Sequence, residues 1–358
     1  MLIDANRVNL FHTLEASGIP EDARLKLASL GITTLSELKD HWDYGNRDLI
    51  VTFLGRSPIR MSAAPELAAR RGPVAAGGLV NLSLAGRTRP LVKHARGVLL
   101  SASEQAARAV SPDPLPALAS AHRGVAAAGP PNVSLVSKFP AIRNQKDRGT
   151  CVAFATVGFL EFHRTNSGGS ARRFSEQFVY WGCKKDDGIP SSEGTFVSTA
   201  RSVISNRGAC LGSTWKYNPI PVPGNEGQGP PPAGAENEAT NFLYTTAKAV
   251  AAKNPMKIRD RLDAGQPVVL SVKTFSSWDF PTVGDTGEVP MPLPGSVSDG
   301  GHAICVVGYE LNPRFPGGGA FIIRNSWGKT WGKLSRFAPG YGTLFFDYVK
   351  KYSLEAYV

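Results

Sequence analysis

Asn144-Gln145-Lys146-Asp147-Arg148-Gly149-Thr150-Cys151-Val152-Ala153-Phe154-Ala155-Thr156 carries one cysteine out of a polar, glycine-containing loop and straight into an apolar run. The run from Val152 to Phe162 has too little turn chemistry for anything but a largely buried helix, so the loop feeds a helix start and Cys151 sits in the first turn. Thr150 is placed to cap that helix with its hydroxyl. The position matters because the thiolate is the nucleophilic form of cysteine, and unpaired backbone N–H groups at a helix start favour negative charge. Gln145 lies six positions before Cys151. That is close enough in a looping chain to aim its amide at the oxyanion formed when a carbonyl is attacked, with the Cys151 backbone N–H as the second donor.

The groups that would work with such a thiol come late in the chain. Asp299-Gly300-Gly301-His302-Ala303-Ile304-Cys305-Val306-Val307-Gly308-Tyr309 reads as a glycine loop entering a β-strand, with a histidine at its first residue. Phe321-Ile322-Ile323-Arg324-Asn325-Ser326-Trp327-Gly328 reads as the next strand, ending in an amide and a tryptophan. Acyl transfer through sulfur needs a nucleophile, a base within about 3 Å of it and a third group that fixes the tautomer of the base. Taken together, Gln…Cys, Gly-His-Ala and Asn-Ser-Trp-Gly resemble the papain-like (C1) cysteine peptidases. The motifs stand in that family's order, and the resemblance runs from about Pro131 to the C-terminus.

The resemblance implies an α+β chain, a two-lobed fold with a helical lobe and an antiparallel β-barrel lobe. It implies Cys151 as nucleophile, His302 as general base and then acid, Asn325 as the group orienting His302, and Gln145 as oxyanion donor. Trp327 would shield the His302–Asn325 hydrogen bond from water. Gly194, ahead of the helical Val197 to Ile204, matches the place where the family lays substrate backbone along a glycine, although a helix-entry glycine explains it equally well. Gly301 and Ala303 flank the histidine, and Ala303 would border the pocket for the second residue before the cut. A disulfide between Cys183 and Cys210 is possible by the same analogy, while two buried thiols are the default in a reducing compartment.

The chain also departs from the family pattern. Arg148 replaces a cysteine that usually forms a disulfide near the nucleophile, so that staple is absent, and Val152 replaces the usual aromatic. The Cys151–His302 separation of 151 residues (302 − 151) is long, as Pro/Gly-rich insertions would make it.

With 358 residues the chain has room for a papain-sized domain at 131–358 and a further module. The net charge of +11 is unevenly placed: residues 1–60 carry 7 Lys and Arg against 8 Asp and Glu, residues 61–130 carry 8 against 3, and the remainder 25 against 18. Clustered basic residues interleaved with aromatics are absent, so nucleic acid is not an expected partner. Nothing reads as a membrane span, and no basic-then-apolar leader opens the sequence. These features and the shortage of cysteines fit a bacterial protein that is cytosolic or exported without a cleaved signal peptide. No cofactor is expected; without a Cys-x-x-Cys pair, and with scattered histidines, neither is a metal site.

Residues 1–60 read as a small helical module. Leu14 to Pro20 and Leu27 to Thr33 repeat at a spacing of 13, each a helix end closed by glycine, and Thr34 with Glu37 forms a capping box. The pattern resembles a helix-hairpin-helix or SAM-like bundle, suited to packing, partner binding or regulation. Residues 61–130 are rich in Ala, Gly and Arg, with a basic patch of Arg87, Arg89, Lys93, His94 and Arg96, and end in Pro/Ala linker composition. The plain reading is a tether; the sharper one is a propeptide that crosses and blocks the cleft. Beyond Cys151, Pro219 to Pro232 reads as an exposed loop, Glu236 to Ala252 as helix, Pro267 to Val272 as strand, and Thr282 to Ser298 as a loop overhanging the groove.

The function implied is a thiol-dependent endopeptidase acting on extended polypeptide. A related acyltransferase or deamidase could use the same triad, and a partner-binding protein on a peptidase fold would be signalled by a missing triad member. None is missing.

Overall fold

The computed structural model describes residues 14, 19–44, 47–54, 59–62, 80–83, 90–110, 131–168 and 170–358. The linker reading of residues 111–130, the basic residues Arg87 and Arg89, and the first glycine stop at 15–18 lie outside the described residues.

Among the described residues three short helices come first: α1 (Glu21–Ala28), α2 (Leu35–Asp43) and α3 (Arg47–Leu54). Thr34 and Glu37 form the expected reciprocal cap at the start of α2. After the paired strands β1 (Ile59–Ser62) and β2 (Val80–Ser83), residues 90–110 run largely extended, apart from the single turn α4 (Ala102–Ala106).

From β3 (Val133–Ser134) onward the chain forms two lobes. One is built on α5 (Cys151–Asn166), α6 (Glu176–Asp186) and α7 (Val197–Asn206), followed by the short α8 (Ala235–Ala239). Every residue of α5 from Cys151 to Phe162 is buried, because α5 lies between α6 and α7 on one side and the sheet on the other. The other lobe includes α9 (Pro255–Asp263), β4 (Val268–Thr274), α10 (Pro281–Thr286), β5 (Glu288–Val289), β6 (Gly300–Leu311), β7 (Gly319–Arg324), β8 (Tyr341–Phe345), α11 (Phe346–Tyr352) and β9 (Ser353–Tyr357). The strand order is β5-β8-β7-β6-β4-β9, with β3 added on β6. All pairs are antiparallel except β5 with β8, so the sheet is mixed rather than purely antiparallel.

Two sequence expectations are corrected here. Residues 236–252 are not one helix: α8 ends at Ala239, and the chain then pairs with the C-terminal strand through Lys248 N–H to Val358 O (2.7 Å) and Val250 N–H to Ala356 O (2.9 Å). An open sheet edge outcompeted a modest local helix preference. Residues 282–298 do not simply overhang the groove: α10 and β5 lie within them and form a seat for the N-terminal helices. Thr282 N–H donates to Asp40 Oδ2 (2.8 Å), Met291 N–H to Leu30 O (2.8 Å), and the His41 ring meets Phe280 edge-on at 4.8 Å. Leu27, Ile32, Leu38 and Ile50 thereby join the same apolar core as the sheet lobe.

Candidate active site

The loop before α5 is held by side chains from several elements. Gln145 is fully buried; its N–H donates to Ser326 O (2.8 Å), its Oε1 accepts from Ser326 Oγ (2.6 Å), and its Nε2 donates to Arg148 O (2.8 Å). Tyr217 OH donates to Gln145 O (2.8 Å) and lies 2.8 Å from Thr150 Oγ1. The Thr150 hydroxyl is thus turned to Tyr217 and does not cap α5, which corrects the sequence expectation.

Arg148, standing where the family's cysteine would be, is buried between the rings of Tyr180 and Tyr217. It donates to Gln177 Oε1 (2.8 Å), Asn218 O (2.6 Å) and Glu226 O (2.7 Å). Gly149 N–H donates to Glu193 Oε1. A charged hub takes the place of a covalent staple, tying the Gln145–Cys151 loop to residues 177–226.

The sheet lobe brings the other groups to Cys151. His302 is the third residue of β6, two later in the strand than the sequence suggested, and Ala303 N–H donates to Cys151 Sγ at 3.4 Å. His302 Nε2 pairs with Asn325 Oδ1 at 2.8 Å, while its Nδ1 is buried with no hydrogen-bond partner among the described residues. Asn325 follows β7 directly and is held by its own N–H to Gly340 O (3.0 Å). Trp327 stacks on the His302 ring with centroids 4.4 Å apart, and Trp278 closes on both from the edge. Cys151, His302, Asn325, Gln145 and Trp327 are therefore neighbours, although the first and third lie 174 residues apart (325 − 151).

A segment of the chain's own N-terminal half crosses this site. Gln145 Nε2 donates to Ala95 O (3.1 Å), and the Gly97 N–H lies near enough to Cys151 to favour its thiolate. Gly97 O accepts from Thr195 N–H (2.9 Å), Val98 N–H donates to Gly301 O (3.0 Å), and Leu99 N–H donates to Thr195 O (3.1 Å). On the other side, the His94 ring stacks on Trp327 at 4.2 Å. His94 and Arg96, part of the basic patch in the sequence, both bond Asp279.

Of the residues expected to bind substrate, Gly301 and Trp327 touch this segment. Gly194 lies against it, a β-carbon there falling 3.0 Å from Gly97 O, and its φ of +88° is one that glycine adopts without strain. Ala303 is fully buried, offering its N–H to the sulfur and its side chain to a small internal cavity shared with Phe154, Ala155 and Cys305. Thr195, which makes two of the backbone bonds, and Asp279 were missed in the sequence. Thr195 acts through its main chain, which no side-chain pattern reports.

Covering the site changes its electrostatics. Burial pushes the Cys151 thiol up to about 11, although N–H groups of Ala303 and Gly97 favour the thiolate. Burial pushes His302 down to about 3, against the Asn325 bond and helped by nearby Arg96 and His94. All four cysteines, Cys183 and Cys210 included, are buried free thiols. Among the described residues there is no group of three or more His, Cys, Asp or Glu that could hold a metal ion, and no helix long and apolar enough to cross a membrane.

Residues 133–343 match the sequence model of the papain family of cysteine proteases. The chain belongs to that family. It is 28% identical over 224 residues to an uncharacterized peptidase C1-like protein of Acanthamoeba polyphaga mimivirus, covering 60% of this chain and 67% of that protein. It is 25% identical over 202 residues to human cathepsin L2, covering 53% and 54%. Apart from the viral protein, the chain spans about half the length of the curated relatives it matches. The crystal structure of xylellain, a cysteine protease from Xylella fastidiosa, superposes with a TM-score of 0.57 at 23% identity, over 76% of this chain and 98% of that one. This papain-family chain is thus similar in fold to a bacterial protease and, over part of its length, in sequence to viral, animal and plant relatives.

Proposed function

We propose that this chain is a thiol endopeptidase held closed by its own residues 94–99. The observation that carries the reading is the meeting of Cys151, at the start of a buried helix, with the His302–Asn325 pair on the facing strands. In the open enzyme His302 Nδ1 takes the thiol proton, and Cys151 Sγ attacks the scissile carbonyl. Gln145 Nε2 and the Cys151 N–H receive the oxyanion. Collapse breaks the C–N bond as His302 returns the proton to the leaving amine, giving a thioester. Water, deprotonated by His302, then releases the acid and restores the thiol.

The segment in the cleft supports an inhibitory role through its register. The residue of the segment beside the sulfur is Gly97, through its N–H, whereas the carbonyl held by Gln145 belongs to Ala95. No single peptide group meets both nucleophile and oxyanion donor, so the segment fills the groove without being set up for attack. This is the propeptide-like alternative for residues 61–130, narrowed to a few residues.

Mass spectrometry of products from a peptide library tests the reading, with full-length wild type, Gly97→Leu and Cys151→Ala compared. Hydrolysed backbone from Gly97→Leu, little from wild type and none from Cys151→Ala is the expected pattern. Deamidated or transferred side chains in place of cut backbone would reassign the chain to the acyltransferases.

A further inference from the structure

Asp279 is a charged group that the mechanism above does not use. It ends the turn after β4, and its side chain is 5% exposed. Every hydrogen bond and ion pair it makes among the described residues comes from the segment in the cleft. Oδ1 accepts from His94 N–H (3.2 Å) and faces His94 Nδ1 (3.3 Å), and Oδ2 accepts from Arg96 Nη2 (2.8 Å). Asp299, held by the Thr274 hydroxyl at 2.8 Å, stands 3.6 Å from Arg96 Nε, in ion-pair range but without a hydrogen bond. The stem of Arg96 lies over Gly300, where a β-carbon would meet its Cδ at 3.6 Å. An arginine is thus seated in the groove on Asp279 with Asp299 nearby, and when the segment leaves, Asp279 keeps its walls but loses its partners. A carboxylate in that position is strongly disfavoured until another cation replaces the first.

The segment also orders the groove. Residues 94–96 lie at Asp279 and Trp327, Gly97 at Cys151, and Val98–Leu99 at Gly301 and Thr195. Trp327 stacks on His302, the group that protonates the departing amine, so the Asp279 end receives the leaving half of a substrate. We propose that Asp279, with Asp299, forms a cation-binding subsite on the leaving-group side of Cys151, which selects polypeptides carrying arginine or lysine just C-terminal to the cut. Arg96 is its occupant in the closed chain. Asp279 accepts from one nitrogen of the planar fork while Asp299 lies near another, so arginine is preferred over lysine. The assignment rests on the peptidase reading above.

Cleavage-site profiling of the full-length Gly97→Leu protein on a randomised peptide library tests it. Arginine, then lysine, is expected at least tenfold enriched at the first or second position after the cut. Adding Asp279→Asn should lower the ratio of kcat/KM for an arginine peptide over its leucine counterpart tenfold or more, with Asp299→Asn lowering it less. A second readout leaves the subsite unaltered: a synthetic peptide of residues 92–101 should inhibit the Gly97→Leu protein at least tenfold better than the same peptide with Arg96→Leu. Cleavage without a basic preference on that side, a preference that survives Asp279→Asn, or equal inhibition by the two peptides overturns the subsite. A library left uncut by protein whose Cys151 still takes up a thiol-directed epoxide overturns the peptidase reading, and the subsite with it.

Discussion

Gly97 crosses Gly149 so closely that a β-carbon on Gly97 would stand 1.7 Å from the Gly149 carbonyl oxygen. A β-carbon on Gly149 would in turn lie 2.7 Å from Arg96 O. Residues 96–97 and the loop that carries Cys151 meet backbone to backbone, and a side chain at residue 97 forces one of them away. Overpacking of this kind costs about 1–3 kcal/mol, and each 1.4 kcal/mol is tenfold in an equilibrium. Gly97→Leu should therefore raise the initial rate on a fluorogenic peptide about tenfold or more over wild type. Equal rates would show that residues 94–99 do not bar the groove.

The reactivity of Cys151 should depend on pH in opposite ways in the closed and open chain. In the closed chain the thiol is pushed up to about 11 and the imidazole down to about 3, both by burial. A raised thiol stays protonated below its pKa, and a lowered imidazole stays neutral above its own, so at neutral pH neither is charged. Iodoacetamide labelling of wild type should be slow and should rise only towards alkaline pH. Gly97→Leu returns water to the site, lets the thiolate–imidazolium pair form, and should label fast and nearly independently of pH from about pH 5 upward. Mass-spectrometric labelling rates across pH check both; superimposable profiles would sink the claim.

Asn325→Ala removes the group that holds His302 Nε2 at 2.8 Å. Because the loss falls on the orientation of the base rather than on substrate contacts, kcat should fall roughly 10–100-fold with little change in KM. A change confined to KM would place Asn325 in substrate binding instead.

Arg148→Met exchanges a buried guanidinium for an apolar side chain and leaves Gln177 Oε1, Asn218 O and Glu226 O short of a donor. Loss of such charge-assisted bonds should destabilise the protein by about 3 kcal/mol, read as a drop in Tm. Arg148→Lys should not restore it, because a point charge on a flexible stem cannot serve all three acceptors. A melting temperature equal to wild type would mean the hub contributes nothing.

Cys305→Ala should leave turnover and epoxide labelling close to wild type, since Cys305 is buried within β6 beside the small internal cavity it shares with Phe154 and Ala155. Loss of labelling in this variant would mean that the nucleophile had been misassigned.

The parts of the site that a reader of the sequence could find are those with local chemistry. A cysteine at a loop-to-helix step, a glycine-flanked histidine entering a strand and an Asn-Ser-Trp-Gly strand end each signal their role in a few residues. Thr150 misled, because a threonine at a helix start reads as a cap whether or not a tyrosine from residue 217 competes for its hydroxyl. Residues 236–252 misled for the same reason: a helix-compatible composition says nothing of a C-terminal strand waiting for a partner. Lys93 to Leu100 looked like a tether with a basic patch because its bonds run to residues 145, 195, 279 and 301, none within reach of a pattern.

The sequence by itself determined the chemical set, the sulfur, imidazole and two amides, together with the helix and strand ends that present them, because those depend on nearest neighbours along the chain. Only the tertiary structure decided that the groove is filled by residues 94–99, that Arg148 braces the nucleophile loop, and that Asp279 faces a cation. Each of those rests on backbone and charge contacts between elements remote in sequence, and such contacts exist only once the two lobes have closed around a common core.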